Sequence, residues 1–159
     1  MESYIYRLQV ELIFDIVSRL HYSDIIHLGQ TSSSLNNLLC RSDRIWKILY
    51  QRDISSRPPS SSYFESYRKV IRDTTNKGRN EILMYAARNG YEKLADRMAQ
   101  EGANNYNEAM VEAAKGGHRD VVERMLQEGA KNYNEAMVDA ASDGHQNIVE
   151  LIQRWQSNH

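Results

Sequence analysis

The feature that most constrains the fold is a 27-residue repeat in the second half of the chain. The pair Asn-Glu begins at Asn80, Asn107 and Asn134, and is followed each time by paired alanines, a Gly-His or Gly-Tyr pair and an amphipathic stretch. So short a unit cannot bury an apolar face alone, and about three stacked units are the usual minimum for a stable core. The sequence therefore predicts a stack of three units, at residues 80–106, 107–133 and 134–159.

Each unit carries the pattern of a helix pair joined by a glycine turn. In the second unit, Asn107 is a predicted N-cap, because its side-chain oxygen can accept a hydrogen bond from an unpaired backbone N–H. Tyr106 and Val111 have the spacing of a hydrophobic staple around it. The glycines at 116–117 predict the end of this helix. Residues 119–128 predict the second helix of the pair.

Paired alanines occupy the same place in every unit. Small side chains allow neighbouring helices to approach closely. The pairs are therefore predicted to line the seams between stacked units. They are Ala86-Ala87, Ala113-Ala114 and Ala140-Ala141.

A segment of different composition precedes the repeats. Residues 55–62 contain Pro58, Pro59 and five serines, which is typical of a turn or linker. Residues 63–73 place apolar side chains near helical spacing, which predicts a bridging helix that could cap the stack. Since these are the only two prolines in the chain and strand signals are weak throughout, we predict an all-α fold.

The first fifty residues have helical patterning and carry a known motif. From about Tyr4 to Ile54 the sequence resembles the F-box family, including its closing Ile-Trp-Lys-Ile-Leu-Tyr-Gln-Arg-Asp at residues 45–53. The resemblance implies a helical module, residues 1–54, that binds the Skp-type adaptor of cullin–RING ubiquitin ligases. The adaptor-binding residues that it implies are Leu8, Glu11, Leu12, Ile16, Leu20, Asp24, Ile25 and Leu28.

One position departs from the F-box pattern. Gln9 stands where the family usually has proline, and we expect this change to affect adaptor affinity more than fold. A different interpretation of residues 1–54 stays open, in which the helices serve only as an N-terminal cap of the stack. In that case the chain would contain no adaptor-binding module.

The repeats resemble a second family. Glu108 to His118 align with the Thr-Pro-Leu-His-x-Ala-Ala-x-x-Gly-His motif of ankyrin repeats, although the Thr-Pro-Leu-His part is replaced. Ankyrin repeats have a period of 33 residues. Six residues are therefore missing, at the place of the projecting β-hairpin. The resemblance implies an ankyrin-like helix-turn-helix solenoid that lacks β-hairpin fingers. Short repeats of this kind joined to an F-box look like proteins encoded by large DNA viruses.

Alignment with the first ankyrin helix also implies which positions bind a partner. In a solenoid the repeated residues hold the structure, and the exposed residues that vary between units contact other molecules. We call these positions the candidate binding surface. They are Tyr85, Arg88, Asn89, Glu112, Lys115, Gly116, Asp139, Ser142 and Asp143.

The charge argues against nucleic-acid binding by the whole chain, since 20 basic residues face 21 acidic ones, for a net charge of -1. The average hides unlike parts. Residues 1–53 hold 6 basic and 6 acidic residues, residues 54–79 hold 6 and 2, and residues 80–159 hold 8 and 13. The acidic repeats suggest a basic or mixed-charge partner. Phosphate binding stays open only for residues 54–79, where packing against the acidic repeats is the simpler explanation.

The sequence carries no pattern of a catalytic site. It has no Gly-rich phosphate loop, no nucleophile elbow and no His-Glu-x-x-His motif, so we predict a non-enzymatic protein without a cofactor. His118 and His145 share a repeat position, but the first unit has Tyr91 there and no His or Cys pair has zinc spacing. We therefore predict that both histidines are hydrogen-bonding turn residues.

Location is constrained by what the sequence lacks. No stretch approaches the roughly 20 apolar residues of a membrane span, and the N-terminus has no secretory signal pattern. The single cysteine, Cys40, fits a reducing compartment and is predicted to be packed and unreactive. We expect a cytoplasmic protein, in the host cytoplasm if it is viral, with a nuclear location also open.

Two functions agree with these patterns. The first is an F-box substrate receptor, in which residues 1–54 bind a Skp-type adaptor and the repeats present an unidentified target protein for ubiquitination. The alternative is a repeat-based interaction or decoy protein that binds a partner without productive ligase engagement.

Overall fold

The computed structural model describes Arg19, Asp24 and residues 42–158. Residues 42–158 form helices and turns without a strand, which confirms the all-α prediction for this part of the chain. None of these helices is both long enough and apolar enough to cross a bilayer. The helices are α1 (Asp43–Asp53), α2 (Tyr63–Thr74), α3 (Arg79–Asn89), α4 (Glu92–Gln100), α5 (Tyr106–Lys115), α6 (Arg119–Gln127), α7 (Tyr133–Ser142) and α8 (Gln146–Asn158).

Helices α1 and α2 pack together through aromatic side chains. Trp46 on α1 is almost completely buried, and its ring lies 5.1 Å from that of Phe64 and 5.6 Å from that of Tyr67 on α2. Aromatic rings at such distances contribute more than their buried area alone. Trp46 therefore belongs to the core of this helix pair. Helix α2 begins where the Ser62 hydroxyl accepts a hydrogen bond from the backbone N–H of Glu65.

The remaining six helices form a two-layer stack. Helices α3, α5 and α7 pack side by side in one layer, and α4, α6 and α8 form the other. Helices α4, α6 and α8 each bury one apolar face in the core. In α6 this face consists of Val121, Val122, Met125 and Leu126. Turns at 101–105 and 128–132 join one pair to the next. This is the helical solenoid without β-hairpin fingers that the sequence predicts.

The glycine turns follow the prediction, whereas the predicted N-cap does not. Gly117 has a φ of 74°, a left-handed conformation that ends α5 and favours glycine. The next helix, α6, ends one residue earlier than predicted. However, α5 begins at Tyr106 with Asn105 as its N-cap. The assignment of Asn107 as the N-cap, with Tyr106 outside the helix as part of a staple, is therefore wrong.

The alanine pairs line the seams at the first two units. Ala86, Ala87, Ala113 and Ala114 are completely buried, so the prediction is confirmed there. In the third unit Ala140 is buried but Ala141 is exposed, so the prediction is wrong for Ala141. Within the described residues, no fourth helix pair follows α8 and covers Ala141.

The first unit is joined closely to the residues that precede it. The carbonyl of Ile54 accepts hydrogen bonds from the N–H groups of Lys93 and Leu94, at 3.1 and 3.3 Å. These N–H groups belong to the first turn of α4, which has no intrahelical partner for them. Ser55 is buried, and its hydroxyl donates to the Glu92 carboxylate at 2.7 Å. The start of the Pro/Ser segment is thus fixed to the stack.

Candidate functional site

The candidate binding surface runs along one edge of the stack. Its residues come from the C-terminal halves of α3, α5 and α7 and from the turns that follow them. Because these three helices pack in order in one layer, the structure brings the residues into a continuous row. Their surroundings differ from unit to unit.

Tyr85, in the first unit, is held by neighbours and is half-buried, so its predicted exposure is wrong. Its hydroxyl donates to the Asp73 carboxylate at 3.1 Å, and its ring lies 5.9 Å from that of Tyr91. The Lys77 ammonium lies over the Tyr85 ring, 5.5 Å from its centroid. Burial raises the pKa of Tyr85, and Tyr91 and Asp73 raise it further. Tyr85 therefore stays a neutral hydrogen-bond donor.

Arg88 and Glu112 connect the first and second units. The guanidinium donates two hydrogen bonds to the carboxylate, at 2.9 and 3.0 Å, in the bidentate geometry that favours such pairs. Glu112 is half-buried, so its predicted full exposure is also wrong. The Asn89 side chain donates to the carbonyl of Tyr85 at 2.8 Å. The charges of this part of the surface are thus already paired.

Toward the third unit the surface becomes acidic. Lys115 and Asp143 are exposed and Asp139 is half-buried, contrary to its predicted exposure. None of the three forms an ion pair within the described residues. The Ser142 hydroxyl donates to its own helix, at the carbonyl of Val138. The charged side chains of this surface that are available to bind a partner are therefore Lys115, Asp139 and Asp143.

His118 is a structural turn residue, as predicted. Its Nε2 lies 3.0 Å from the carbonyl oxygen of Arg88 in the preceding unit, to which it donates. Burial lowers the pKa of His118, and this outweighs the opposing effect of the Arg88 carbonyl. Among the described residues, no group of three His, Cys, Asp or Glu is placed to hold a metal ion.

The repeated asparagines have a structural role that the sequence analysis missed. Oδ1 of Asn80 accepts a hydrogen bond from the backbone N–H of Asn104 at 2.8 Å. Oδ1 of Asn107 accepts from the N–H of Lys131 at 2.6 Å. Each asparagine thus holds the turn that leads into the following unit. Their recurrence every 27 residues was the available signal, but a local pattern does not show a partner 24 residues away.

The implied adaptor-binding site lies almost entirely outside the described residues. Of its eight residues, only Asp24 is described; it is helical and exposed. Asp24 borders a cavity of about 570 Å³ whose lining includes Ile54 and Leu94. The other seven are Leu8, Glu11, Leu12, Ile16, Leu20, Ile25 and Leu28.

A charged cluster borders the same cavity. The Asp53 carboxylate accepts hydrogen bonds from Arg52 and from the Tyr67 hydroxyl, each at 2.5 Å. Burial alone would raise the pKa of Asp53, but these two hydrogen bonds outweigh it and lower the pKa. The ionised carboxylate therefore fixes α2 on α1, which makes its role structural.

Comparison with known proteins agrees with the repeat architecture. Residues 83–158 match the family model for ankyrin repeats, in three copies. Neither a curated protein nor a solved structure shows significant similarity to the chain. Ankyrin repeats are generally non-catalytic modules that bind other proteins. Residues 83–158 are thus similar to ankyrin repeats in sequence, in keeping with their stacked helix pairs.

Proposed function

We propose that the chain is an F-box-type substrate receptor. In this proposal residues 1–54 bind a Skp-type adaptor of a cullin–RING ubiquitin ligase, residues 55–79 connect, and the repeats at 80–159 present a target protein. The observation that carries the proposal is the F-box pattern from about Tyr4 to Ile54, followed after residues 55–79 by a segment that is similar to three ankyrin repeats. A viral origin would make the target a host protein.

The junction between the two parts supports this role. The closing segment of the F-box pattern lies in α1, and α1 packs on α2 and on α4 of the first repeat. Ile54 and Ser55 add hydrogen bonds to α4 at this junction. A receptor has to hold its target at a defined position relative to the ligase, because productive transfer depends on orientation. A junction fixed by packing and hydrogen bonds would provide such a position.

The proposal is tested by co-purification of the full chain with a recombinant Skp-type adaptor. We expect the wild type to co-elute and Leu12→Asp and Leu20→Asp to fail. Val138→Asp is the matched control, because it introduces the same side chain at a site that is already 63% exposed. Circular dichroism should show the same helix content in all variants. Absence of co-elution by the wild type would overturn the proposal.

The second candidate is an interaction or decoy protein that does not engage a ligase productively. The observation in its favour is that the ankyrin match covers only residues 83–158, together with Gln9 in place of the usual proline. Three short repeats also offer a small surface, which suits a sequestering contact. This candidate predicts partner binding with no adaptor in the complex, so the same co-purification separates the two functions.

A further inference from the structure

The C-terminal end of the stack exposes residues that are covered in the first two repeats. Five residues of the third repeat are each less buried than the residue at the same position of the second repeat. They are Asn134, Met137, Val138, Ala141 and Gly144, which correspond to Asn107, Met110, Val111, Ala114 and Gly117. We call these five residues the end face. Val138 is 63% exposed, whereas the corresponding Val111 is half-buried. Ala141 is exposed, whereas the corresponding Ala114 is completely buried.

The two internal junctions show what such a face accepts. At each one the asparagine side chain accepts a hydrogen bond from the backbone of the next turn. At each one a ring also packs on a glycine. A Cβ built on Gly90 would lie 2.5 Å from the His118 ring, and one built on Gly117 would lie 2.7 Å from the His145 ring. A Cβ built on Gly144 would meet no atom within 4 Å apart from its own chain neighbours.

Within the residues that the structure describes, the third repeat does not return the chain to this face. In the first two repeats the second helix ends before Gly102 and Gly129, both with a φ of 93°. The third repeat has Gln156 at that position, and α8 continues through it to Asn158. Because α8 lacks the left-handed glycine turn, it does not lead into a fourth unit in the manner of α4 and α6.

A second copy of the chain does not fit the end face. The corresponding leading side of the first repeat is already occupied by α1 and by Ile54 and Ser55, so it cannot stack on another copy. Two end faces placed together would bring two acidic third repeats next to each other. Helix α7 carries Glu135 and Asp139 and has no basic residue, and juxtaposed like charges disfavour association.

We propose that the end face binds a helix-turn-helix unit of a different protein, which carries basic side chains and adds to the stack as a fourth unit. Residues 134–159 contain four acidic residues and one basic residue, which gives the charge that a basic unit would complement. The partner offers backbone N–H groups to Asn134, a ring to Gly144 and a small apolar helix face to Val138 and Ala141. The proposal requires only the repeats and is independent of adaptor binding.

The test uses the full chain labelled with ¹⁵N and a peptide with the sequence of residues 106–132. This peptide has the chemistry of an internal unit, and it carries four basic and five acidic residues. A second peptide has Glu108→Lys and Glu112→Lys, so that six basic and three acidic residues remain. Backbone amide shifts are followed up to millimolar peptide, which detects weak binding by a segment that must fold on contact.

We expect shift changes at the end face, with at least about tenfold tighter binding of the basic peptide. Ala141→Arg should weaken that binding at least about tenfold, whereas Gln127→Arg, which adds the same side chain at an exposed site on α6, should not. No shift changes at millimolar peptide, or changes confined to the candidate binding surface, would overturn the proposal.

A second measurement is sedimentation velocity of the chain alone. A dimer that Ala141→Arg dissociates would also overturn the proposal. Adaptor co-elution should be the same for Ala141→Arg and wild type, which keeps this outcome separate from that of the receptor proposal.

Discussion

The two ends of the helical stack are built differently. At the N-terminal end, α1 and Ile54 cover the first repeat, and Ile54 is 2% exposed. At the C-terminal end, the helix pair α7 and α8 completes the third repeat, and nothing among the described residues covers the end face. The same repeat pattern thus gives one closed end and one open end.

The difference shows that burial depends on the neighbour as much as on the residue. Ala114 and Ala141 stand in nearly identical sequence, Glu-Ala-Met-Val-x-Ala-Ala. Ala114 is completely buried by the next unit, whereas Ala141 is exposed. Apolar surface left uncovered on a folded protein commonly marks a contact site. The comparison can be tested by matched changes at closed and open positions.

The largest expected effect comes from placing a charge at a closed seam. Ala114→Arg would overfill the contact between α5 and α7 and bury an unpaired charge, which costs about 3–5 kcal/mol. Ala141→Arg should change stability by no more than about 0.5 kcal/mol, as is usual for exposed sites. Urea denaturation followed by circular dichroism measures both. Equal destabilisation by the two variants would show that the third repeat is also covered.

Most of the stack could be predicted from the sequence, because helix periodicity and glycine turns are local signals. The start of α6 at Arg119 and the glycine that ends α5 follow directly from the repeat. The exposure of Ala141 could not be predicted from the repeat itself. The alanine pair is the same in all three repeats. Which of its residues are buried depends on the helices that pack against each repeat, and the repeat pattern does not show this.

The side-chain partners of the candidate binding surface were also beyond sequence reasoning. Arg88 and Glu112 vary between units, which made them candidates for binding, but they pair with each other across 24 residues. Tyr85 is held by Asp73 from the preceding helix. Such pairings depend on which side chains the packing brings together. Whether these residues contact a partner stays a prediction.

The second prediction concerns the hydrogen bonds that close the N-terminal end. The Glu92 carboxylate accepts from the Ser55 hydroxyl and from the backbone N–H of Ser56. Burial alone would raise the pKa of Glu92, but these hydrogen bonds outweigh it and lower the pKa. Glu92→Gln should therefore cost about 1–2 kcal/mol at neutral pH, the range for a hydrogen-bonded charge that is partly exposed.

The pH dependence of folding stability tests the same contact of Glu92. Because the pKa of Glu92 is lower in the folded chain, its stabilisation is present above the unfolded pKa, near 4.3, and is lost as pH falls through the folded pKa. Glu92→Gln should reduce this loss. Glu108→Gln is the matched control, since Glu108 is an exposed carboxylate in the first turn of α5. If both variants had the same stability, the hydrogen bonds of Glu92 would contribute nothing measurable to stability.

The third prediction compares two asparagines at the same repeat position. Asn107→Ala removes the acceptor for the Lys131 N–H at 2.6 Å and for the Asn132 N–H at 3.3 Å. It should cost about 1 kcal/mol, because the longer contact adds little to the usual value for one hydrogen bond. Asn134→Ala changes an exposed side chain at the open end and should cost less than about 0.5 kcal/mol. Amide hydrogen exchange at Lys131 should accelerate only in Asn107→Ala. Faster exchange in both variants would contradict the proposed difference between the two positions.

The smallest expected effect is a pH dependence at the junction of the first and second repeats. His118 lies between the units, with Nε2 on the Arg88 carbonyl and its ring against Gly90. Burial lowers the pKa of His118, so below its ordinary value near 6.5 the unfolded chain binds more protons than the folded one. Stability should therefore fall as pH drops below this value, and it should level off below the folded pKa. A ¹H–¹⁵N titration of the imidazole measures the folded pKa directly, and His118→Gln should flatten the dependence. Titration of His118 above its ordinary range would reverse the sign, because the junction would then favour the protonated ring.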